Sequence, residues 1–408
     1  MKYCLIGEKL SHSYSKYIHE KLGLNYSLKE IKKSKLSSFF KNCEYNGFNV
    51  TIPYKKEVIP YLKSISKEAK QIGAINTIIN NNGEFYGYNT DIYGLRYTLE
   101  RKGVSVYNKC VMILGSGGAS NTATTLCELD GAKKVIVVSR SGEVNYSNYH
   151  NYVETEIIIN ATPVGMYPNV DNSPIDISKL PNLKYVFDCI YNPYTTNLLL
   201  QAKKLNVVYG NGIPMLVEQA LCARDIWLNT KHDYKLTEEI IKDITLSRLN
   251  VVLVGMPSAG KSNVGKLLSK ALNKEFYDCD VEVNKKYGLT PSEIILTQGE
   301  KAFRDIESEV IKELSLKSGA VIALGGGGVL REENIINLKR NSIIIYIERD
   351  LSLLIDSDRP ISKKTGIENL YNERKEIYNK CCDFKVENNK EMQDCVNEVI
   401  KVYENISC

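Results

Sequence analysis

Short apolar runs alternate with helical patterns along almost the whole sequence. The clearest are YCLIG (3–7), FNVTI (48–52), KCVMILG (109–115), KKVIVVS (133–139), TEIIINAT (155–162), KYVFDCI (184–190), NVVLVGM (250–256), GAVIALGGG (319–327) and SIIIYIE (342–348). Strand-length runs separated by helix-length patterns predict βαβ units and parallel sheets, an α/β fold. No fixed-period repeat is visible. Residues 141–154, SGEVNYSNYHNYVE, are polar and read as loop. KLTEEIIKDI (235–244) reads as a short amphipathic helix, and a new strand starts a few residues later. That predicts a domain boundary near 245–249 with a very short linker, giving units 1–245 and 249–408.

Composition narrows the class without naming a chemistry. A chain of 408 residues is long for one core and predicts two or three domains. The formal net charge of +5 is small, no long Lys/Arg block occurs, and nucleic acid is not expected as a partner. The 11 cysteines form no Cys-x-x-Cys pair, and the four histidines complete no zinc pattern. Free thiols in a reducing cytoplasm are the expectation. The opening MKYCLIGEKLSHS has too short an apolar run for a signal peptide, and no run approaches the ~18 residues of a membrane span.

Two glycine loops of different design stand in the chain. The first, GSGGAS, follows a strand and opens a helix. In such a turn Gly115, Ser116, Gly117 and Gly118 let backbone approach a pyrophosphate, with free N–H groups at the helix start. Glycine turns also arise for steric reasons, and Ser120 occupies the place of the third glycine of G-x-G-x-x-G. The next strand ends in Ser139-Arg140-Ser141, where an NAD fold would place an acidic residue. Arg140 there suits a 2′-phosphate, and NADP(H) is the expected cofactor; a solvated surface arginine is the alternative. Lys55, after a strand and Pro53, and Asp91, opening a helix, could pair to move a proton at a reduced carbonyl.

The elements SYS, NVTIPYK, AINT, NTD, GSGGA, NAT, YNPYTT and GIPMLVEQA occur in that order over residues 1–245. With them the segment resembles shikimate dehydrogenase. The resemblance implies a two-part unit: a substrate subdomain of about 1–90 plus 215–245, and a Rossmann NADP subdomain of about 91–214. It implies that Lys55 and Asp91 are the catalytic pair. Ser13, Ser15, Thr51, Asn76 and Gln219 would hold the hydroxyls and carboxylate of shikimate, with Tyr191 also facing it. The cofactor would meet the glycine turn, Ala119, Ser139, Arg140, Ser141, Thr162 and, at the nicotinamide, Gly212. Lys16 stands where the family often has Pro, and the stretch after Arg140 lacks most of a crossover helix.

The second loop, GMPSAGKS, matches G-x-x-x-x-G-K-[ST] between a strand and the helix pattern NVGKLLSKAL. The loop Gly255, Met256, Pro257, Ser258, Ala259 and Gly260 would surround phosphates, with the backbone N–H groups of all but Pro257 as donors; Lys261 reaches the β/γ-phosphates and Ser262 ligates Mg²⁺. FYDCD places Asp278 and Asp280 at one strand end, one for Mg²⁺ and the other for an acceptor hydroxyl. Arg304 and Glu307 share a helical face, four glycines end a strand at 325–328, DSDRP suits a lid carrying Arg359, and Arg374 lies on a helix. Residues 249–408 resemble shikimate kinase through DxD, GExxFRxxE, GGG, RP and RxxxY. The resemblance implies a P-loop α/β domain with a central parallel sheet. It assigns Asp280, Arg304, Gly326, Gly327 and Arg374 to shikimate, with Asp280 also catalytic. Lys261, Ser262, Asn263 and Arg359 would serve ATP, and Asp278 with Ser262 the Mg²⁺. Glu376 replaces a family Pro, and the 359–374 stretch is about one helical turn short.

Together the two resemblances imply a fusion enzyme. It would reduce 3-dehydroshikimate with NADPH and phosphorylate the shikimate formed, with small molecules as its partners. Two alternatives remain at this stage: an NAD-preferring quinate/shikimate-type dehydrogenase joined to a kinase for another polyol acid, and a nucleotide-sensing regulator without turnover.

Overall fold

The computed structural model describes residues 1–10, 13–354 and 366–406. Arg359, the expected lid arginine, lies outside the described residues. The chain divides into two compact units, Met1–Asn192 with Thr196–Lys242, and Pro193–Thr195 with Asp243–Cys408.

The first unit holds two sheets. The six-stranded one contains β1 (Tyr3–Gly7), β2 (Tyr26–Glu30), β3 (Gly47–Val50), β4 (Ser64–Ile65), β5 (Thr77–Asn81) and β6 (Glu84–Tyr88), in the order β2-β1-β3-β5-β6-β4. Helices α1 (Ser15–Lys21), α2 (Leu36–Lys41) and α3 (Lys67–Ile72) connect it. This sheet is mixed: β5 runs antiparallel to β3 and β6. For β5 and β6 the reason is a two-residue hairpin: Asn82 and Gly83 both have positive φ, 54° and 90°, the backbone that an Asn-Gly turn supplies. The second sheet is wholly parallel, with β7 (Cys110–Leu114), β8 (Lys134–Val138), β9 (Ile157–Asn160), β10 (Tyr185–Asp188) and β11 (Val208–Gly210) in the order β11-β10-β9-β7-β8.

Helices α4 (Asp91–Arg101), α5 (Gly118–Leu129), α6 (Asn197–Lys204) and α7 (Ile213–Leu228) complete this unit's core. The α4 and α7 backbones touch so closely that a Cβ on Gly94 would stand 2.5 Å from the Met215 carbonyl. At its far end α7 returns to the first sheet. Trp227 stacks on Tyr3 and donates to the Ile78 carbonyl at 2.9 Å, and a Cβ on Gly47 would collide with its ring at 2.4 Å. Between β8 and β9 there is no α-helix, only a 3-10 turn at Tyr149–Asn151. Buried Tyr149 replaces the helix's anchoring, its hydroxyl pinned to the backbone of Asp176.

Helix α8 (Tyr234–Arg248) crosses the unit boundary, so the linker expected at 245–249 is helical as far as Arg248. The buried stripe Ile240, Ile241, Ile244 continues through Thr245 and Arg248, which carries the helix one further turn through the polar-looking TLSR. The second unit is one parallel sheet, β13-β14-β12-β15-β16, with β12 (Asn250–Val254) at its centre, flanked by β13 (Glu275–Asp278), β14 (Ala320–Ala323), β15 (Ser342–Glu348) and β16 (Phe384–Glu387). Among the described residues seven helices accompany it: α9 (Lys261–Ala271), α10 (Cys279–Tyr287), α11 (Pro291–Gln298), α12 (Glu300–Ser315), α13 (Glu332–Lys339), α14 (Ile367–Cys381) and α15 (Met392–Glu404). The runs read from sequence are trimmed at their C-terminal ends: FNVTI stops pairing at Val50 and GAVIALGGG at Ala323, because each feeds a turn that carries chemistry.

Candidate active sites

The first site is a cavity of about 860 Å³ in the first unit. Its floor follows from β3. Past Val50 the chain turns, with Tyr54 N–H donating to the Thr51 carbonyl, and Tyr54 itself is fully buried. Lys55 is held there through its own carbonyl, which accepts from Ile75 N–H at 2.8 Å. Asp91 is the first residue of α4. The two side chains meet at 2.5 Å (Lys55 Nζ to Asp91 Oδ2), each less than a quarter exposed. Asp91 Oδ1 accepts from Asn76 Nδ2 at 2.8 Å.

The cavity also brings together Ser13, Ser15, Thr51, Asn76, Tyr191 and Gln219, with Ala119 and Gly212 from the expected cofactor set. Asn76 lines it with little to spare: its amide protons go to Asp91 and to Thr90 Oγ1. Gln219 donates to the Leu216 carbonyl within α7. Gly212 lies so close to the Cys189 carbonyl that a Cβ would come to 2.1 Å, so backbone packing alone requires glycine there.

Gly115–Gly118, Ser139–Ser141 and Thr162 are not part of that lining. They stand at the C-terminal ends of β7, β8 and β9, where the strand order reverses, the place where open α/β sheets bind dinucleotides. Gly115, at φ +111°, packs on Ala161 and Thr162. Around Gly117 and Gly118 a Cβ would meet nothing within 4 Å. No contact of the fold accounts for glycine at those two positions, and the space they leave open at the start of α5 suits a pyrophosphate. Ser120, in the third-glycine place, is buried with its hydroxyl on the Gly115 carbonyl at 2.8 Å, so it fits the turn. Arg140 is exposed at the end of β8. Behind the turn, Thr162 is fixed by Asn160, which donates to buried Asp188; burial raises that carboxyl to about 6.

The second site is built on the loop between β12 and α9. Gly255 and Gly260 have φ of +146° and +91°, and Ser258 also sits at positive φ. Lys261 Nζ donates to the Gly255 and Met256 carbonyls at 2.9 and 2.8 Å. Ser262 Oγ donates to Asp278 Oδ2 at 2.5 Å. A hydroxyl beside a carboxylate is a hard oxygen pair that fits Mg²⁺ completed by water and phosphate oxygens. Asp278 ends β13 and caps α10, its Oδ1 accepting from Asp280 N–H at 3.0 Å. Asp280 is therefore in the first turn of a helix and not on the strand as DCD was read; an Asp before a helix is a cap signal.

Asp280, Arg304, Gly326, Gly327 and Arg374 line one pocket of about 150 Å³ with Pro257 of the loop. Glycines at 325–327 serve close approach: a Cβ would stand 2.9 Å from Glu307 Oε1, 2.9 Å from Pro257 Cδ and 2.2 Å from the Arg304 guanidinium in turn. Arg304 donates to Glu307 Oε2 at 2.6 Å. Burial raises the Glu307 pKa, and Arg304 opposes the shift. The Nε atoms of Arg304 and Arg374 and Oε1 of Glu307 are buried without a partner among the described residues, as in a site that awaits a polar ligand. Tyr378, of RxxxY, donates to the Gly326 carbonyl at 2.5 Å. Two residues had no sequence signal: Asn388, whose amide donates to the Ala259 carbonyl at 2.8 Å, and Arg349, whose guanidinium lies 3.9 Å from the Cβ position of Gly260.

Known proteins match both halves. Residues 5–78 match the family profile "Shikimate dehydrogenase substrate binding domain", and 257–404 match "Shikimate kinase". Shikimate dehydrogenase (NADP(+)) of Clostridium beijerinckii is 40% identical over 256 residues, 58% of this chain and 95% of that protein. A crystal structure of a chorismate mutase/shikimate 5-dehydrogenase fusion protein from Clostridium acetobutylicum is 37% identical, with a TM-score of 0.57 over 59% of this chain and 96% of that one. The Thermus thermophilus shikimate 5-dehydrogenase, solved with NADP(H) and shikimate, is 26% identical, with a TM-score of 0.55 over 60% and 99%. The chain thus belongs to the shikimate dehydrogenase family and joins to it a second domain of the shikimate kinase family.

Proposed function

We propose that this chain is a bifunctional enzyme that reduces 3-dehydroshikimate to shikimate and then phosphorylates shikimate on its 3-hydroxyl. The observation that carries it is the 2.5 Å Lys55–Asp91 pair inside a cavity lined by short polar side chains, in one chain with an intact phosphate loop. NADPH supplies a hydride to the carbonyl carbon. Lys55 then gives a proton to the carbonyl oxygen, and Asp91 stabilises its charged form. Ser13, Ser15, Thr51, Gln219 and Tyr191 pair with the substrate's hydroxyls and carboxylate, since each polar group buried by binding needs a partner. Asn76 supports Asp91. Gly115–Ala119 receive the pyrophosphate, Ser139–Ser141 the 2′-phosphate, and Thr162 and Gly212 border the nicotinamide end.

In the second unit Arg304 and Arg374 clamp the shikimate carboxylate, a pairing that guanidinium geometry favours. Asp280 accepts the proton of the 3-hydroxyl as its oxygen bonds to the γ-phosphorus and ADP leaves. Gly326 and Gly327 border the ring. Residues 255–263 hold the ATP phosphates, and Ser262 with Asp278 holds Mg²⁺. All ten cysteines among the described residues are free, which supports a reducing compartment, the cytoplasm. No helix among the described residues is long and apolar enough to cross a membrane.

A coupled assay with purified chain, 3-dehydroshikimate, NADPH and Mg-ATP tests the reading. NADPH oxidation and ADP release should both depend on dehydroshikimate. Asp280→Asn should abolish ADP release and leave NADPH oxidation intact. Failure to oxidise NADPH with dehydroshikimate, or release of ADP only with a different polyol acid, would overturn it.

A further inference from the structure

Asn76 and Asp91 belong to a buried polar cluster whose other members, His19, Tyr26, Asn49, Thr77 and Thr90, have no role so far; of these Asn49 also borders the cavity. Asn49, on β3, is 5% exposed. Its Oδ1 is met by the Tyr26 hydroxyl at 2.7 Å and His19 Nε2 at 3.2 Å; its Nδ2 is met by Thr77 Oγ1 at 3.1 Å and the Asn76 carbonyl at 3.2 Å. Thr77 Oγ1 is 3.0 Å from Asn76 Oδ1, and Asn76 Nδ2 is 2.8 Å from Asp91 Oδ1. Every residue of the cluster except Asp91 is buried.

The direction of each bond follows from what each atom can do. Burial holds His19 neutral, pulling its pKa down to about 3, and its Nδ1 has no partner among the described residues. The single ring proton therefore sits on Nε2 and is donated to Asn49 Oδ1. With Oδ1 accepting there, Nδ2 must donate toward Thr77 and the Asn76 carbonyl. Thr77, having accepted, has one proton to give: Asn76 Oδ1 at 3.0 Å is the nearer acceptor and the stronger one, an amide oxygen against the Thr90 hydroxyl at 3.1 Å, and it also accepts from Thr90 N–H at 2.7 Å. Asn76 is thereby left with its amide protons facing Asp91. If Asn76 flipped, its oxygen would face the carboxylate, and in a site of low dielectric that repulsion is costly.

We propose that Asn49 is a positioning residue for the Lys55–Asp91 pair, setting the one-way donor chain Asn49 to Thr77 to Asn76 that fixes Asp91 as an acceptor aimed at Lys55. This rests on the dehydrogenase reading above. The chain engages Oδ1 with an amide and leaves Oδ2 to the lysine. Without the chain, Asn76 keeps Thr90 N–H to orient it but loses the Thr77 donor, so Asp91 is held less firmly; a displacement of about 1 Å in such a group is worth roughly 10²-fold in rate.

The experiment uses the full-length chain carrying Asn49→Leu, Thr77→Val or Thr77→Ser, with 3-dehydroshikimate and NADPH. Asn49→Leu and Thr77→Val should lower kcat about 10–100-fold while KM for NADPH stays within about twofold. Thr77→Ser keeps the hydroxyl and should recover most of the rate. Shikimate phosphorylation by the same preparations, and their melting temperatures, report folding; Thr77→Val, the smaller change, keeps the test valid if Asn49→Leu does not fold. Unchanged kcat in both variants, equal losses in Thr77→Ser and Thr77→Val, or losses that follow the folded fraction would overturn the proposal. If the unsubstituted chain does not reduce dehydroshikimate at all, it is the functional reading that fails.

Discussion

Lys55 and Asp91 are delivered by different kinds of local structure, a turn after β3 and the first residue of α4, and meet at a distance that leaves each ion little freedom. Removing the amine should therefore strike the chemical step: Lys55→Ala is expected to lower kcat on the order of 10²–10⁴-fold, and steady-state kinetics with KM alone raised would assign Lys55 to binding instead. Arg140, exposed at the end of β8, is expected to select the cofactor. Arg140→Ala should weaken NADPH by about 1.5–3 kcal/mol, the value of a charged hydrogen bond, and leave NADH nearly untouched; equal effects on both would refute 2′-phosphate recognition. Lys55 and the phosphate loop stand out in the sequence because each sits in a contiguous string, NVTIPYK or GMPSAGKS. The Asn49 chain does not, since His19, Tyr26, Asn49 and Thr77 meet only through the sheet. Arg349 and Asn388 were hidden for the same reason: strand order alone carries them to the loop.

At the scale of elements, α7 and α8 are tied by a histidine between two carboxylates. His232 Nδ1 lies 2.8 Å from Asp225 and Nε2 3.1 Å from Glu218, both on α7, and Thr237 of α8 donates to the same Glu218 at 2.8 Å. Burial opposes the imidazolium, but the bonds to Glu218 and Asp225 outweigh it and raise the His232 pKa. A raised folded-state value means stability that is fully present below the unfolded pKa of about 6.5 and is lost as pH climbs through the folded value. The first unit should melt lower at pH 9 than at pH 6, and His232→Gln should flatten that slope; a difference on the order of 2–4 °C per kcal/mol is expected for a unit of this size. An identical slope in the variant would remove His232 from the account. Element types were read well where periodicity was long, as in α8, and badly where one dipeptide decided the geometry. The Asn82-Gly83 dipeptide that makes β5 and β6 antiparallel stands in the sequence, and the alternation of DCD masks that Asp280 lies in the first turn of α10, past the Asp278 cap.

At the scale of the molecule, each unit carries its own motif set, sheet and core, and we expect each to fold and turn over separately. The place of division matters. Lys274 Nζ donates to the carbonyls of Leu246, Ser247 and Leu249, and burial lowers its pKa to about 8. A kinase fragment that starts at Leu249 loses two of these acceptors and leaves a half-buried amine short of partners, whereas one that starts at Asp243 retains all three. The longer fragment should be soluble with the specific activity of the full chain, and the shorter one less stable by about 1–3 kcal/mol in denaturant titrations. In the coupled reaction, added unlabelled shikimate should fully dilute label from dehydroshikimate; resistance to dilution, or an inactive longer fragment, would show that the halves depend on each other. The contact of Trp227 with Tyr3 and Gly47 bears on how such experiments can be read. Trp227 is the single tryptophan of the chain and is almost fully buried in the first unit. Its emission is a built-in optical label for the dehydrogenase alone: under denaturant the red shift times the opening of that unit, circular dichroism sums both, and any gap between the two curves measures how far apart in stability the two enzymes lie.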